Sequence, residues 1–408
     1  MLNVITRQEA VQRILERIPE KRNCTLYLPD AVYAGQDITS PEDLPPCSRS
    51  VVDGFAVRSS DTYGCSESIP AMLLYDGQIQ MGQMPDEPLE RGHCMAIPTG
   101  GFLPEGADAV SMIEYTEDSE DEFRYILKPL AVSENVNRKG DDCHKGDILV
   151  RKGEQITSRN IAVLAATGAA GTAELIRKYC SAAEDKGKGF RLGILSTGDE
   201  LVEYDQTPLP GQIRNINAVM LCAAARELGL VPVIYDIVPD ELELLRKAMD
   251  RAVSECDAVC ISGGTSVGEK DHVFQVLSGQ GTVLFHGLAL KPGKPTMFAM
   301  IRDVPVFSLP GHPMAAFMVF WLTVRPALLQ MTGRQQKADK RKAFVSRNLS
   351  SNHGREEIIP VRLEGDRAVP LRAGSGVVSV LSKADGLIII DRNAEGILEG
   401  ERVDVYML

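Results

Sequence analysis

The sequence has no paired-cysteine motif, no excess of basic charge and no long apolar run, and each absence removes a class of protein. Nine cysteines, an odd number, are scattered without a CxxC pair or a compact framework, which fits a reducing cytosol better than a disulfide scaffold. Six histidines show no zinc-ligand spacing. A formal charge of −12 argues against general affinity for nucleic acid, because phosphate binding needs basic surface that releases counterions. Any anionic ligand must therefore meet local cations or a metal. The most apolar run, Met314 to Val324, is bracketed by Pro313 and Pro326 and falls short of the ~20 residues that cross a bilayer, so it reads as a buried helix. Met1 to Glu20 lacks a basic region followed by an apolar core and cleavage site, so no secretory signal is expected. No short repeat and no strongly biased segment stands out.

What remains is a globular composition, 44% hydrophobic and 25% charged, over 408 residues, a length that predicts two to four domains. Thr6 and Glu9 offer a capping box, and Val11, Ile14, Leu15 and Ile18 recur at helical spacing until Pro19. From about 23 to 140, short β-type runs (Met95 to Ile97, Ala109 to Ile113, Tyr125 to Leu127) alternate with Gly, Pro and acidic turns, as in a small β-rich domain. A second helix is expected over Ser158 to Thr167, ending at Gly168, and it can pack on the first with the β-rich part as an excursion. From Arg191 strand and helix patterns alternate through Phe285, the signature of a doubly wound parallel sheet, after a linker EDKGKG at 184–189. After Gly333, short β-runs separated by turns fit a compact barrel. The fold class read from this is multidomain α/β plus β. The expected division is 1–22 with 47–63 and 141–183 as a discontinuous helical part, 23–46 with 64–140 as the inserted β-domain, 184–333 as the mostly parallel sheet, and 334–408 as the barrel.

In an open α/β sheet, ligands bind beyond the carboxyl ends of the strands. Three motifs fall there: STGDEL after Leu192 to Leu195, SGGTSVGEKDH after Ala258 to Ile261, and SLPGHP after Val306 and Phe307. Gly263, Gly264, Ser266 and Gly268 belong to the second, whose backbone N–H groups could hold an anion, although such a loop can also be a mere turn. Asp271 either caps the next helix or acts on a metal or proton. Glu200 and Asp240 follow strands of one sheet, so both can face one crevice and take Mg²⁺ together with substrate phosphates; their plain readings are a solvated loop and a helix-terminus charge. In ALKPGKP, prolines stiffen a loop that carries Lys291 and Lys294, suited to phosphate or oxyanion charge, though exposed lysines are usually only solvated. In the N-terminal half, Asp53 sits before Gly54 as in a tight turn, Thr99 lies in the loop IPTGGF, and Asp142 lies in a charged loop of surface type.

Taken together, DGFAV, PTGGFLPEGADAV, STGDEL, SGGTSVGEKD, LKPGKP and LPGHP resemble, in order, the motifs of the MoeA/gephyrin E-domain family of molybdopterin molybdenumtransferases. The resemblance covers essentially the whole chain. It implies a four-part, L-shaped subunit with a molybdopterin-binding central domain, in a homodimer whose active site lies across the interface. Asp53, Thr99 and Asp142 of one copy would then approach Glu200, Asp240 and Asp271 of the other. It implies catalytic roles for those six residues, Mg²⁺ at Glu200, Asp240 and Asp271, and substrate contacts from Gly263, Gly264, Ser266, Gly268, Lys291, Lys294, Pro310, Pro313, Arg355 and Ser375. The implied reaction inserts molybdate into adenylylated molybdopterin and releases AMP, in the cytoplasm. Molybdopterin adenylyltransferase and molybdoenzyme apoproteins are the implied partners, and neither nucleic acid nor membrane is. The chain departs from the family's usual Lys at Gly287, Asp at Asn215 and Asn at His312. Those departures motivate a second reading, a divergent cofactor-binding or scaffold protein with weak or no transferase activity.

Overall fold

Thr6 starts the first helix, α1 (Arg7–Arg17), through a reciprocal capping box: its hydroxyl accepts from Glu9 N (3.2 Å) and the Glu9 carboxylate accepts from Thr6 N (3.4 Å). The computed structural model describes residues 4–19, 24–80, 83–118, 122–180, 189–209, 211–264, 271–334, 339–371 and 377–408; Ser266, Gly268 and Ser375 lie outside the described residues. Contacts divide the chain into two compact units, one of Met1–Thr39, Ile148–Asp205 and Arg214–Leu408, the other of Ser40–Asp147 and Gln206–Ile213.

The smaller unit is built on a six-stranded sheet of β1 (Gly54–Val57), β2 (Ala71–Gln78), β3 (His93–Ile97), β4 (Ala109–Met112), β5 (Thr116–Asp118) and β6 (Phe123–Ile126), ordered β4-β1-β3-β2-β6-β5. Residues 54–57, expected in the helical part, run as an inner strand of this sheet. All four are buried, with Phe55 and Val57 packing on Leu73, Cys94 and Ile126, and Ala56 on Ile97 and Val110. A strand covered on both faces has no alternation to betray it. Gly54 opens the strand, so Asp53 stands at a strand entry rather than in a tight turn.

In the larger unit, α2 (Ser158–Thr167) ends on left-handed Gly168, followed by α3 (Thr172–Cys180). The central sheet contains β7 (Arg191–Ser196), β8 (Val231–Ile234), β9 (Ala258–Ser262), β10 (Thr282–His286), β12 (Met297–Ile301) and β13 (Val304–Leu309), ordered β8-β7-β9-β13-β12-β10. Between β10 and β12 lies the short β11 (Leu290–Lys291). Only β12 runs against the other strands, so the carboxyl ends of the remaining five lie at one end. The helices that follow β7, β8 and β9 are α4 (Ile216–Glu227), α5 (Leu242–Glu255) and α6 (His272–Gln280). Leu195, Val259, Ile261 and Val306 of the sheet pack with Leu245, Met249, Val276 and Leu277 of α5 and α6.

The apolar run after Pro313 is indeed a buried helix, α7 (Pro313–Val319), continued by a π-turn and α8 (Arg325–Met331). Pro313–Met331 is long and apolar enough to cross a membrane, yet 83% of its apolar window is buried inside the chain. Helix α1 packs on α8, whereas α2 packs on α4, so the expected pairing of α1 with α2 gives way to separate partners. The barrel comprises β14 (Lys340–Val345), β15 (Glu356–Glu364), β16 (Arg367–Pro370), β17 (Gly386–Ile390) and β18 (Arg402–Met407), closed by the pairing of β15 with β17 around Val345, Val361, Ile388 and Val405.

Helix α1 is tied to this barrel by Arg7, whose guanidinium donates to both oxygens of buried Glu356, at 2.8 and 3.2 Å. Glu356→Ala leaves that guanidinium without its carboxylate, and the urea midpoint is expected to fall by the equivalent of about 2 kcal/mol. An unchanged midpoint would show the pair to be dispensable.

Candidate active site

Three motif loops meet where the strands end. Thr197 N donates to Ser262 O (3.0 Å), joining the STGDEL loop to the glycine loop after β9. Gly263 adopts φ +96°, and a Cβ there would run into the Thr197 carbonyl oxygen, so only glycine lets these backbones meet. The SLPGHP loop completes the junction: Asn217 Nδ2 donates to the Gly311 carbonyl at 2.8 Å and lies 3.5 Å from that of Pro310, and a Cβ on Gly311 would stand 3.9 Å from Gly263 Cα. Pro313 begins α7, with His312 at its N-cap.

The acids lie on the same edge. The Glu200 carboxylate folds back over Gly198, its oxygens 2.7 and 2.8 Å from where a Cβ would be. Desolvation pushes Glu200 above the usual carboxyl range, and the charges of Asp199 and Asp240 add to the rise. Asp240 N donates to Asp199 Oδ1 (3.1 Å), while Asp240 Oδ1 is buried without a hydrogen bond and 3.8 Å from where a Gly264 Cβ would be. Asp271 forms the helix cap that its position allowed. Its Oδ1 accepts from Phe274 N (2.8 Å) as the N-cap of α6, and its Oδ2 lies 3.8 Å from His286 Nε2. Desolvation raises the Asp271 carboxyl as well; the capping hydrogen bond opposes the rise, and the Asp240 charge adds to it. His286 stacks on Phe274 with ring centroids 4.8 Å apart.

The lysines divide. The loop of residues 287–296 leaves from the same sheet end, but Lys291 pairs with Glu357 Oε1 of β15 at 3.0 Å. Lys294 is exposed and makes no ion pair among the described residues. Arg355 is exposed at the start of β15. No group of three or more His, Cys, Asp or Glu among the described residues is arranged to enclose a metal ion on its own. A cation that keeps waters and substrate phosphates as ligands needs no such cage, and the unbonded Oδ1 of Asp240 fits that type of site.

Within the smaller unit, the structure brings together two expected residues 46 positions apart: Thr99 N donates to Asp53 Oδ1 at 2.8 Å, and both residues are exposed. The Asp53 carbonyl accepts from Ile113 N, which ties this strand entry to the rest of the sheet. Asp142 departs from the surface reading. It is 8% exposed, and its N–H donates to Leu44 O, because the loop 140–143 folds onto 44–45.

Sequence reasoning missed Asp199, His272 and Asn217, which shape this edge through backbone groups. Asn217 lies outside the motifs, whereas Asp199 stands inside STGDEL and His272 follows directly on the motif acid Asp271.

Residues 5–168 match the MoeA N-terminal region (domain I and II), residues 193–330 a "Probable molybdopterin binding domain", and residues 342–408 the MoeA C-terminal region (domain IV). A molybdopterin biosynthesis protein of Methanocaldococcus jannaschii is 38% identical over 385 residues, spanning 92% of this chain and 89% of that protein. A molybdopterin molybdenumtransferase of Staphylococcus epidermidis is 30% identical over 416 residues, 99% of this chain and 95% of its own. The crystal structure of a molybdopterin biosynthesis MoeA protein from Pyrococcus horikoshii is 34% identical and matches with a TM-score of 0.55, covering 99% of each chain. Fold and motif loops thus define a multidomain α/β protein of the molybdopterin-binding type, with a C-terminal barrel. The chain belongs to the MoeA family.

Two departures from the family pattern acquire local explanations. Asn215 is the buried N-cap of α4, accepting from Ser196 Oγ (3.0 Å) and Ala218 N (3.4 Å), a task that Asn and Asp perform about equally. Gly287 has φ +111°, and a Cβ there would lie 3.1 Å from Val4 Cγ2. A lysine at this position would be strained as well as charged.

Proposed function

We propose that this chain is the transferase of molybdenum-cofactor biosynthesis that inserts molybdate into adenylylated molybdopterin and releases AMP. The observation that carries the proposal is the convergence of the 196–200, 238–240, 262–264 and 310–313 loops on one sheet end, with Asp240 Oδ1 turned inward and unbonded. The printed names of the relatives support the same reading.

In this reading, the amides of the 262–264 loop and the N-terminus of α6 receive phosphate oxygens of the substrate. Glu200, Asp240 and Asp271 would hold Mg²⁺ together with substrate phosphate oxygens. Such an ion would supply positive charge to offset the negative charge on the phosphate oxygens. Lys294 supplies mobile positive charge to an oxyanion, and Lys291 does so only after leaving Glu357. Water adds to phosphorus as the phosphoanhydride bond breaks and AMP departs, and the two dithiolene thiols give their protons to a molybdate oxygen, which leaves as water as the Mo–S bonds form. Pro310 and Pro313 keep the third loop stiff. Gly268, Ser266, Ser375 and Arg355 are proposed as further substrate contacts.

We further propose that Asp53, Thr99 and Asp142 of a second copy complete this crevice in a homodimer. The exposed Asp53 and Thr99, fixed together by a backbone hydrogen bond, support that role. A cytoplasmic setting, with molybdopterin adenylyltransferase upstream and molybdoenzyme apoproteins downstream, accords with the described cysteines outside α3 standing outside disulfides. A scaffold without turnover is the weaker reading, since Asn215 retains a capping role.

The test is AMP release from adenylylated molybdopterin, followed by chromatography. Release is expected only when molybdate and Mg²⁺ are both present, and release indifferent to both would overturn the assignment.

A further inference from the structure

His272 follows Asp271 and opens α6. Its Nδ1 lies 2.8 Å from the Asp240 carbonyl oxygen and 3.3 Å from Asp240 Oδ1. A carbonyl can only accept, so Nδ1 carries the proton in this contact. That proton lies on the main chain, and Oδ1 is left without a hydrogen bond, although it is buried. The imidazole therefore fixes the loop that carries the acid through its carbonyl, with the acid's inward oxygen in ion-pair range but not hydrogen-bonded. Asp199 completes the clamp by accepting from Asp240 N at 3.1 Å. The loop after β8 is thus held from the loop following β7 and from the start of α6, while Asp240 Oδ1 lies 3.8 Å from where a Gly264 Cβ would be.

We infer that His272 is a positioning residue for the transferase reaction: by binding the Asp240 carbonyl it holds the Asp240 carboxylate in place for a divalent cation shared with substrate phosphate. The inference rests on the proposed function and adds a residue to it. Outer groups that orient a metal-binding side chain typically change metal affinity or activity by about 10- to 100-fold when removed. Unlike the acids, His272 touches neither cation nor substrate in this scheme. Its effect should appear in cation binding before it appears in folding.

The experiment compares the full chain with His272→Phe, which keeps a planar ring but loses the donor, and His272→Asn, whose Nδ2 can restore a donor near the Nδ1 position. Mn²⁺ binding is read by electron paramagnetic resonance in the presence of AMP, alongside thermal midpoints and AMP release by the unaltered chain. The expected result is Mn²⁺ binding at least about 10-fold weaker in His272→Phe, substantially recovered in His272→Asn, with similar midpoints. Binding by His272→Phe equal to that of the unaltered chain overturns the inference. Equal losses in both variants with a lowered midpoint also overturn it, because the side chain would then serve folding rather than donor geometry. If the unaltered chain binds Mn²⁺ but releases no AMP, the function assignment fails separately.

Discussion

Gly263→Ala is expected to lose nearly all AMP release and about 3 kcal/mol of stability. The new methyl would meet the Thr197 carbonyl oxygen, a main-chain atom that cannot swing aside as a flexible side chain would. The φ of +96° adds backbone strain for any residue bearing a Cβ. Relief requires the loops after β7 and β9 to separate, next to the Gly311 segment, where even a Cβ would stand only 3.9 Å from Gly263 Cα. A shift of about 1 Å in groups that orient a substrate can reduce turnover roughly 100-fold. Urea unfolding and AMP release together check both parts. A variant with unchanged midpoint and activity would mean that the close approach of these loops is not needed.

Asp240→Asn should separate charge from shape. The amide keeps the size of the carboxylate, and the contacts that hold this loop run through the Asp240 main chain, from its N–H to Asp199 and from its carbonyl to His272. Stability should therefore change by less than about 0.5 kcal/mol. Turnover should fall by roughly 100-fold, because a negative ligand for the cation is lost where phosphate charge must be offset. Raising Mg²⁺ should recover part of the loss. Activity within threefold of the unaltered chain, at ordinary Mg²⁺, would remove Asp240 from the proposed chemistry.

The parts of this protein that sequence reveals are those encoded within a few residues. The Thr6 and Glu9 capping box, the helix ending on Gly168 and the cap formed by Asp271 all depend on spacing of three or four residues. The strand and helix alternation from Arg191 follows from periodic burial, and so does the position of the loops at the carboxyl ends of the strands. Pairings between distant segments are not written locally. Lys291 and Lys294 look alike in ALKPGKP, yet only Lys291 meets Glu357, because β11 pairs with β15. The burial of Asp142 depends on the chain returning to Leu44, nearly a hundred residues earlier. The Asp53 and Thr99 contact uses a backbone N–H, to which the identity of residue 99 is indifferent. Residues 54–57 are hidden from pattern reading because both faces of their strand are covered.

The nucleotide-linked pterin is expected to bind beyond the carboxyl ends of β7, β8, β9 and β13. A crystal structure of the chain with adenylylated molybdopterin and Mg²⁺ tests this most directly. The predicted result places the phosphate linkage against the 262–264 amides, with the cation touching Asp240 Oδ1. Density for the ligand at the opposite end of the sheet or inside the barrel, with Asp240 bare, would rule out this binding site.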